Sequence, residues 1–65
     1  MNETKTIQLD QFLKLTGMAE TGGHAKILIQ GGHVKLNGVI ETRRKKKIKP
    51  GDVVEVHGQV IEVDF

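Results

Sequence analysis

Five consecutive cations, Arg43-Arg44-Lys45-Lys46-Lys47, are where this chain concentrates its chemistry, and the chemistry open to such a run is pairing with a polyanion. Without one, five like charges in a chain of 65 residues repel one another. A solvated loop is the bland alternative, and composition alone also admits a nuclear-localisation signal. The surrounding charge is split. From Thr21 to Lys49 eight cations face one carboxylate, Glu41, a balance of +7; the remainder holds two cations and seven carboxylates, −5, which recovers the net +2. Other reactive side chains form no recognisable set. His24, His33 and His57 fit no common metal-ligand spacing and have no cysteine beside them. Serine is absent as well, so hydroxyl nucleophiles reduce to five threonines, and neither a Ser-His-Asp nor a Cys-His arrangement can be built. No catalytic residue, metal site or cofactor is expected. Thr21-Gly22-Gly23 reads as a helix cap, as an anion site made of free N–H groups, or as both. It is not a phosphate-binding loop of the Gly-x-x-x-x-Gly-Lys-Ser/Thr type.

The elements that must position these residues follow from periodicity. Thr4 to Gln8 reads as an extended opening segment. Leu9, Phe12 and Leu13 make the i, i+3, i+4 stripe of a short amphipathic helix, with Asp10 in its first turn and Gly17 at its end. Thr21 caps a second helix whose Ala25, Leu28 and Ile29 repeat that stripe before Gly31-Gly32. The period then falls to 2 at His33-Val34-Lys35-Leu36, and Asn37-Gly38 between apolar runs predicts a hairpin with a type I′ turn returning through Val39-Ile40-Glu41. A strict two-residue turn sets Val34 opposite Glu41, which leaves the register open and admits a bulge. Thr42 to Lys49 is the basic run, with the side chains of Arg43, Arg44 and Lys45 expected in solvent. Pro50-Gly51-Asp52 is a turn, Val53-Val54-Glu55-Val56 a strand, His57-Gly58-Gln59 a turn and Val60-Ile61-Glu62-Val63 the last strand.

Length and composition bound the rest. A chain this short buries only about 60% of the surface its unfolded form exposes, so modest stability is expected from one domain spanning residues 1–65. The absence of cysteine fits a reducing cytoplasm. The longest aliphatic run is Ile27-Leu28-Ile29, far short of a membrane span, and neither export by a signal peptide nor membrane insertion is expected. Phe12 and Phe65 are the only aromatics of the Phe, Tyr and Trp class, which disfavours reading single strands by base stacking.

Taken together, Leu9-Asp10-x-x-Leu13-x-x-x-Gly17-Met18-Ala19, then Thr21-x-x-x-Ala25-Lys26-x-Leu28-Ile29-x-x-Gly32-His33-Val34-x-Leu36-Asn37-Gly38, then Lys49-Pro50-Gly51-Asp52, resemble the S-four RNA-binding domain, named after the fourth protein of the small ribosomal subunit. The resemblance covers about residues 6–57 and is nearest to the small stand-alone bacterial members. It implies an α+β fold, two short helices in a helix-turn-helix-like pair packed on a small antiparallel sheet with a β-hairpin. It also implies that structured RNA is bound by the second helix and the hairpin, which points to Thr21, His24 and Lys26, then to His33, Lys35 and Asn37. Many members carry Arg before the Leu-Asp pair, where this chain has Gln8, and Ser-Arg at the second helix, where it has Thr21-Gly22. The run Arg43 to Lys47 is expected to compensate.

The expected function is therefore non-catalytic binding of structured RNA, ribosomal or transfer RNA among the candidates, by a cytoplasmic, ribosome-associated monomer with no membrane partner. Phosphate contacts would come from Lys26, Lys35, Arg43, Arg44, Lys45, Lys46 and Lys47, with polar contacts from Thr21, Gly23, His24, His33 and Asn37. The alternative is a protein-interaction module whose basic half docks on an acidic protein. Net charge does not separate RNA from DNA.

Overall fold

The computed structural model describes residues 5–65; Thr4, where the opening segment was expected to start, lies outside the described residues. The chain runs β1 (Ile7–Gln8), α1 (Leu9–Leu15), α2 (Gly22–Gln30), β2 (Val34–Leu36), β3 (Val39–Ile40), β4 (Lys47–Ile48), β5 (Val53–Val56) and β6 (Gln59–Glu62). It is an α+β fold. The helix pair packs on an antiparallel sheet of order β3-β2-β5-β6, and β1 and β4 form a separate two-stranded ribbon.

Each helix buries the expected stripe, Leu9, Phe12 and Leu13 on α1 and Ala25, Leu28 and Ile29 on α2. These meet Val34, Val54 and Val56 from the inner face of the sheet, together with Ile48 and Val63. Helices of seven and nine residues are too short to persist alone in water, so this shared core and their end caps hold them. Thr21 caps α2 as expected, its Oγ1 accepting the His24 N–H at 3.0 Å. At the other end the His33 N–H reaches the Leu28 carbonyl (3.0 Å) and the Gly32 N–H that of Ile29 (3.1 Å). With Gly32 at φ +81° this is a Schellman ending, which satisfies the carbonyls of Leu28 and Ile29.

In the hairpin, Asn37 (φ +53°) and Gly38 (φ +84°) both take the left-handed conformation that a type I′ turn requires. The pairs Leu36–Val39 and Lys35–Ile40 follow, and the Glu41 N–H donates to the Val34 carbonyl at 3.0 Å. The turn is thus strictly two residues and there is no bulge. Glu41 does stand opposite Val34, without harm to the core, because β3 is an edge strand and the Glu41 carboxylate turns to Arg43. His57-Gly58 makes a second such turn, at φ +51° and +83°, so β6 starts at Gln59 rather than Val60 and ends at Glu62. Val63 continues the ladder past the strand, its N–H on the Asp52 carbonyl at 2.7 Å.

The largest departure from expectation lies in the basic run. Lys47 and Ile48 form a strand, pairing Gln8 and Ile7, and Ile48 is fully buried. One aliphatic residue among cations is enough to anchor that end of the run in the core.

Candidate nucleic-acid interface

Asp10 is the residue around which the basic run is arranged. Its N–H donates to the Arg44 carbonyl (3.1 Å), and the neighbouring Leu9 N–H donates to that of Lys46 (2.8 Å). The first N–H groups of α1, which have no partner inside the helix, are in this way met by the loop, since the capping residue Gln8 offers no side-chain bond. The Asp10 carboxylate then accepts from Arg44 Nε at 2.8 Å through Oδ2 and from the Gln11 N–H at 2.8 Å through Oδ1. Asp10 is almost buried and Arg44 only about one-third exposed, at 34% of its side chain. Of Arg43, Arg44 and Lys45, all expected in solvent, Arg44 departs from the expectation.

The Arg44 guanidinium also lies against the start of α2, with Nη2 3.4 Å from where a Cβ on Gly22 would stand. The loop therefore spans both helix N-termini. At α2, Thr21 satisfies His24 through its hydroxyl and Ala25 through its carbonyl, and His24 Nδ1 accepts the Glu20 N–H at 3.2 Å. The two bonds tie the turn before α2 to its third residue, although the imidazole reaches the N–H of Glu20, one residue before the cap, and not that of Thr21 as in a capping box. Gly22 and Gly23 donate to no group among the described residues, and Gly23 is exposed. Lys26, four residues beyond Gly22 and so on the same side of the helix, is exposed.

The five cations divide by type. Arg43 forks onto Glu41, Nε to Oε2 at 2.9 Å and Nη2 to Oε1 at 3.3 Å, and that bonding holds the Glu41 carboxyl below its ordinary range. Arg44 is held by Asp10. No carboxylate among the described residues lies within 4.0 Å of Lys45, Lys46, Lys47, Lys26 or Lys35. Lys45 and Lys47 are exposed and Lys46 half-buried.

The structure sets Arg44 against Gly22, which brings the run Arg43 to Lys47 next to the helix start that carries Thr21, Gly23, His24 and Lys26. Lys35 lies apart from these, on the face of the sheet turned away from the helices, with His33 just before that strand and Asn37 in the turn after it. There Lys35 stands across from Ile40 on one side and Glu55 on the other. The rings of His33 and His57 meet edge to face, centroids 5.2 Å apart. The Asn37 amide is occupied: Oδ1 accepts the Val53 N–H (2.9 Å) and Nδ2 donates to Asp52 Oδ1 (3.2 Å). Asp52 in turn accepts the Lys49 N–H (2.9 Å) and the Lys49 ammonium (3.3 Å), and these bonds, the main-chain one foremost, lower its pKa. Sequence reasoning missed Asp10, Glu41 and Asp52 as partners. Only Asp10 had a local signal, its place in a first helical turn, and that signal does not say which cation it holds.

No helix among the described residues is long and apolar enough to cross a membrane, and no three His, Cys, Asp or Glu side chains gather there to hold a metal ion.

The fold and its paired helix starts carry a family. The model of the S4 domain matches residues 1–64, and the chain belongs to the S4 domain family. It is similar to the Escherichia coli (strain K12) protein named "Putative RNA-binding protein YbcJ", 42% identical over 57 residues that cover 88% of this chain and 81% of that one. It is also similar to "Probable ribosome maturation protein RlbA" of Bacillus subtilis (strain 168), 41% identical over 56 residues covering 86% and 79%. The solution structure of YbcJ from E. coli, described as revealing an ALFAL motif involved in RNA-binding, superposes with a TM-score of 0.68 at 37% identity and covers 95% of this chain and 78% of its own.

Proposed function

We propose that this protein binds structured RNA without catalysis, as a cytoplasmic, ribosome-associated module that grips phosphates with Lys45, Lys46, Lys47 and Lys26. One observation carries the reading. Three lysines with no carboxylate partner among the described residues lie on a loop that main-chain bonds tie to α1 and that Arg44 sets against the start of α2, in a chain of the S4 domain family. The open N–H groups at the start of α2 and the ammonium groups together favour a phosphate backbone. The names of the relatives support RNA as the polyanion, and that of RlbA supports the link to the ribosome. Lys35 contributes less than its position in the hairpin implied, because Glu55 stands beside it.

With almost no aromatic surface to stack bases, the protein should bind a folded RNA hairpin more tightly than an unstructured polypyrimidine of equal length. Fluorescence titration of both labelled RNAs at one salt concentration tests this. Equal or tighter binding of the single strand overturns the reading.

A further inference from the structure

Resting on the phosphate-binding reading above, we infer that Asp10 and Arg44 act as a positioning pair, fixing the lysines of the basic loop in the arrangement that RNA meets. Four observations lead there. Asp10 grips Arg44 twice, by main chain at 3.1 Å and by side chain at 2.8 Å, so the loop is fixed in both place and direction. The Lys46 N–H closes a turn onto the Arg43 carbonyl at 3.2 Å, and the Lys46 carbonyl is taken by Leu9, so Lys45 projects from a segment tied on both sides. The Arg44 guanidinium rests where Gly22 has no side chain, which sets the loop against the start of α2. Finally, a carboxylate at a surface built to hold phosphate is unfavourable by charge alone, and Asp10 is tolerated there because it is almost buried and paired. A pre-ordered cation cluster loses less side-chain and loop freedom on binding than a free one, which is how such a pair raises affinity.

The charge of Asp10 gives a test with a decisive sign. Asp10→Asn keeps the shape of the side chain but raises the net charge from +2 to +3, so a purely electrostatic surface binds RNA more tightly. Positioning demands the opposite. With the folded hairpin at about 0.1 M salt, loss of one phosphate contact weakens binding about five- to eightfold, and the log–log salt slope flattens by about 0.7 to 0.9. Amide NMR spectra of the free variant establish that the fold persists, and Asp10→Glu, which keeps the carboxylate, should bind nearer to wild type than Asp10→Asn. Folded Asp10→Asn that binds with wild-type or higher affinity overturns the positioning role while leaving RNA binding standing. Wild-type protein that does not bind the hairpin overturns the functional reading instead. Should Asp10→Asn fail to fold, Arg44→Lys decides: it preserves the cation but not the Nε bond, so weakened binding supports positioning and wild-type binding refutes it.

Discussion

Arg43 and Arg44 adjoin three lysines in sequence, yet the two kinds of cation do different work. Guanidinium groups pair readily with carboxylates, and both arginines do so here, Arg43 as a fork on Glu41 and Arg44 through Nε alone on Asp10; among the described residues no carboxylate pairs with the ammonium groups of Lys45 to Lys47. Removing charge from the lysines should therefore affect binding without affecting stability. Lys45→Ala with Lys47→Ala should flatten the salt slope of RNA binding by about 1.4 to 1.8, while the melting temperature stays nearly unchanged, since exposed substitutions usually shift stability by about 0.5 kcal/mol or less. An unchanged slope would return the loop to the status of a solvated face. Arg44→Ala behaves differently, because it leaves the Asp10 carboxylate almost buried and unpaired; calorimetry should show a clear loss of stability, of order 3 kcal/mol.

Among the elements, those built from local chemistry were legible in the sequence and those built from distant pairings were not. Thr21 as a cap, the stripes Leu9-Phe12-Leu13 and Ala25-Leu28-Ile29, and the Asn37-Gly38 turn each depend on residues a few positions apart. Strand β4 is two residues long and pairs with β1 some forty positions earlier, so no window of sequence contained its signal. The candidate site was legible in the same uneven way: the lysines could be read as a run, whereas the pairing of Arg44 with Asp10 needed the fold. Two substitutions test the elements. Gly38→Val meets no atom within 4 Å but puts a β-branched side chain at φ +84°, and should lower stability by about 1 to 3 kcal/mol in chemical denaturation. Ile48→Ala empties a fully buried position and should lower it by about 2 to 5 kcal/mol, which in so small a chain can abolish folding; a mild effect would mean that the ribbon is dispensable.

For the whole molecule, the local bonding of two carboxylates shapes how stability responds to acid. Asp52 and Glu41 have folded pKa values below their ordinary 3.8 and 4.5, Asp52 through the Lys49 main chain above all and Glu41 through Arg43. In that range the unfolded chain binds more protons than the folded one, so stability present above about pH 4.5 is lost as pH falls through the lowered values. Melting temperatures measured from pH 6 to 2.5 should fall, and Asp52→Asn should shallow the decline. The ties from Leu9 and Asp10 to the carbonyls of Lys46 and Arg44 bear on motion as well. Helix ends ordinarily fray, and their first amides exchange hydrogen with solvent fastest. Here the donors that open α1 are locked by residues more than thirty positions away, so their deuterium uptake should follow opening of the ribbon and loop rather than fraying of one helix turn. The surface offered to RNA and the slowest-breathing part of the N-terminal helix would then open and close as one cooperative unit.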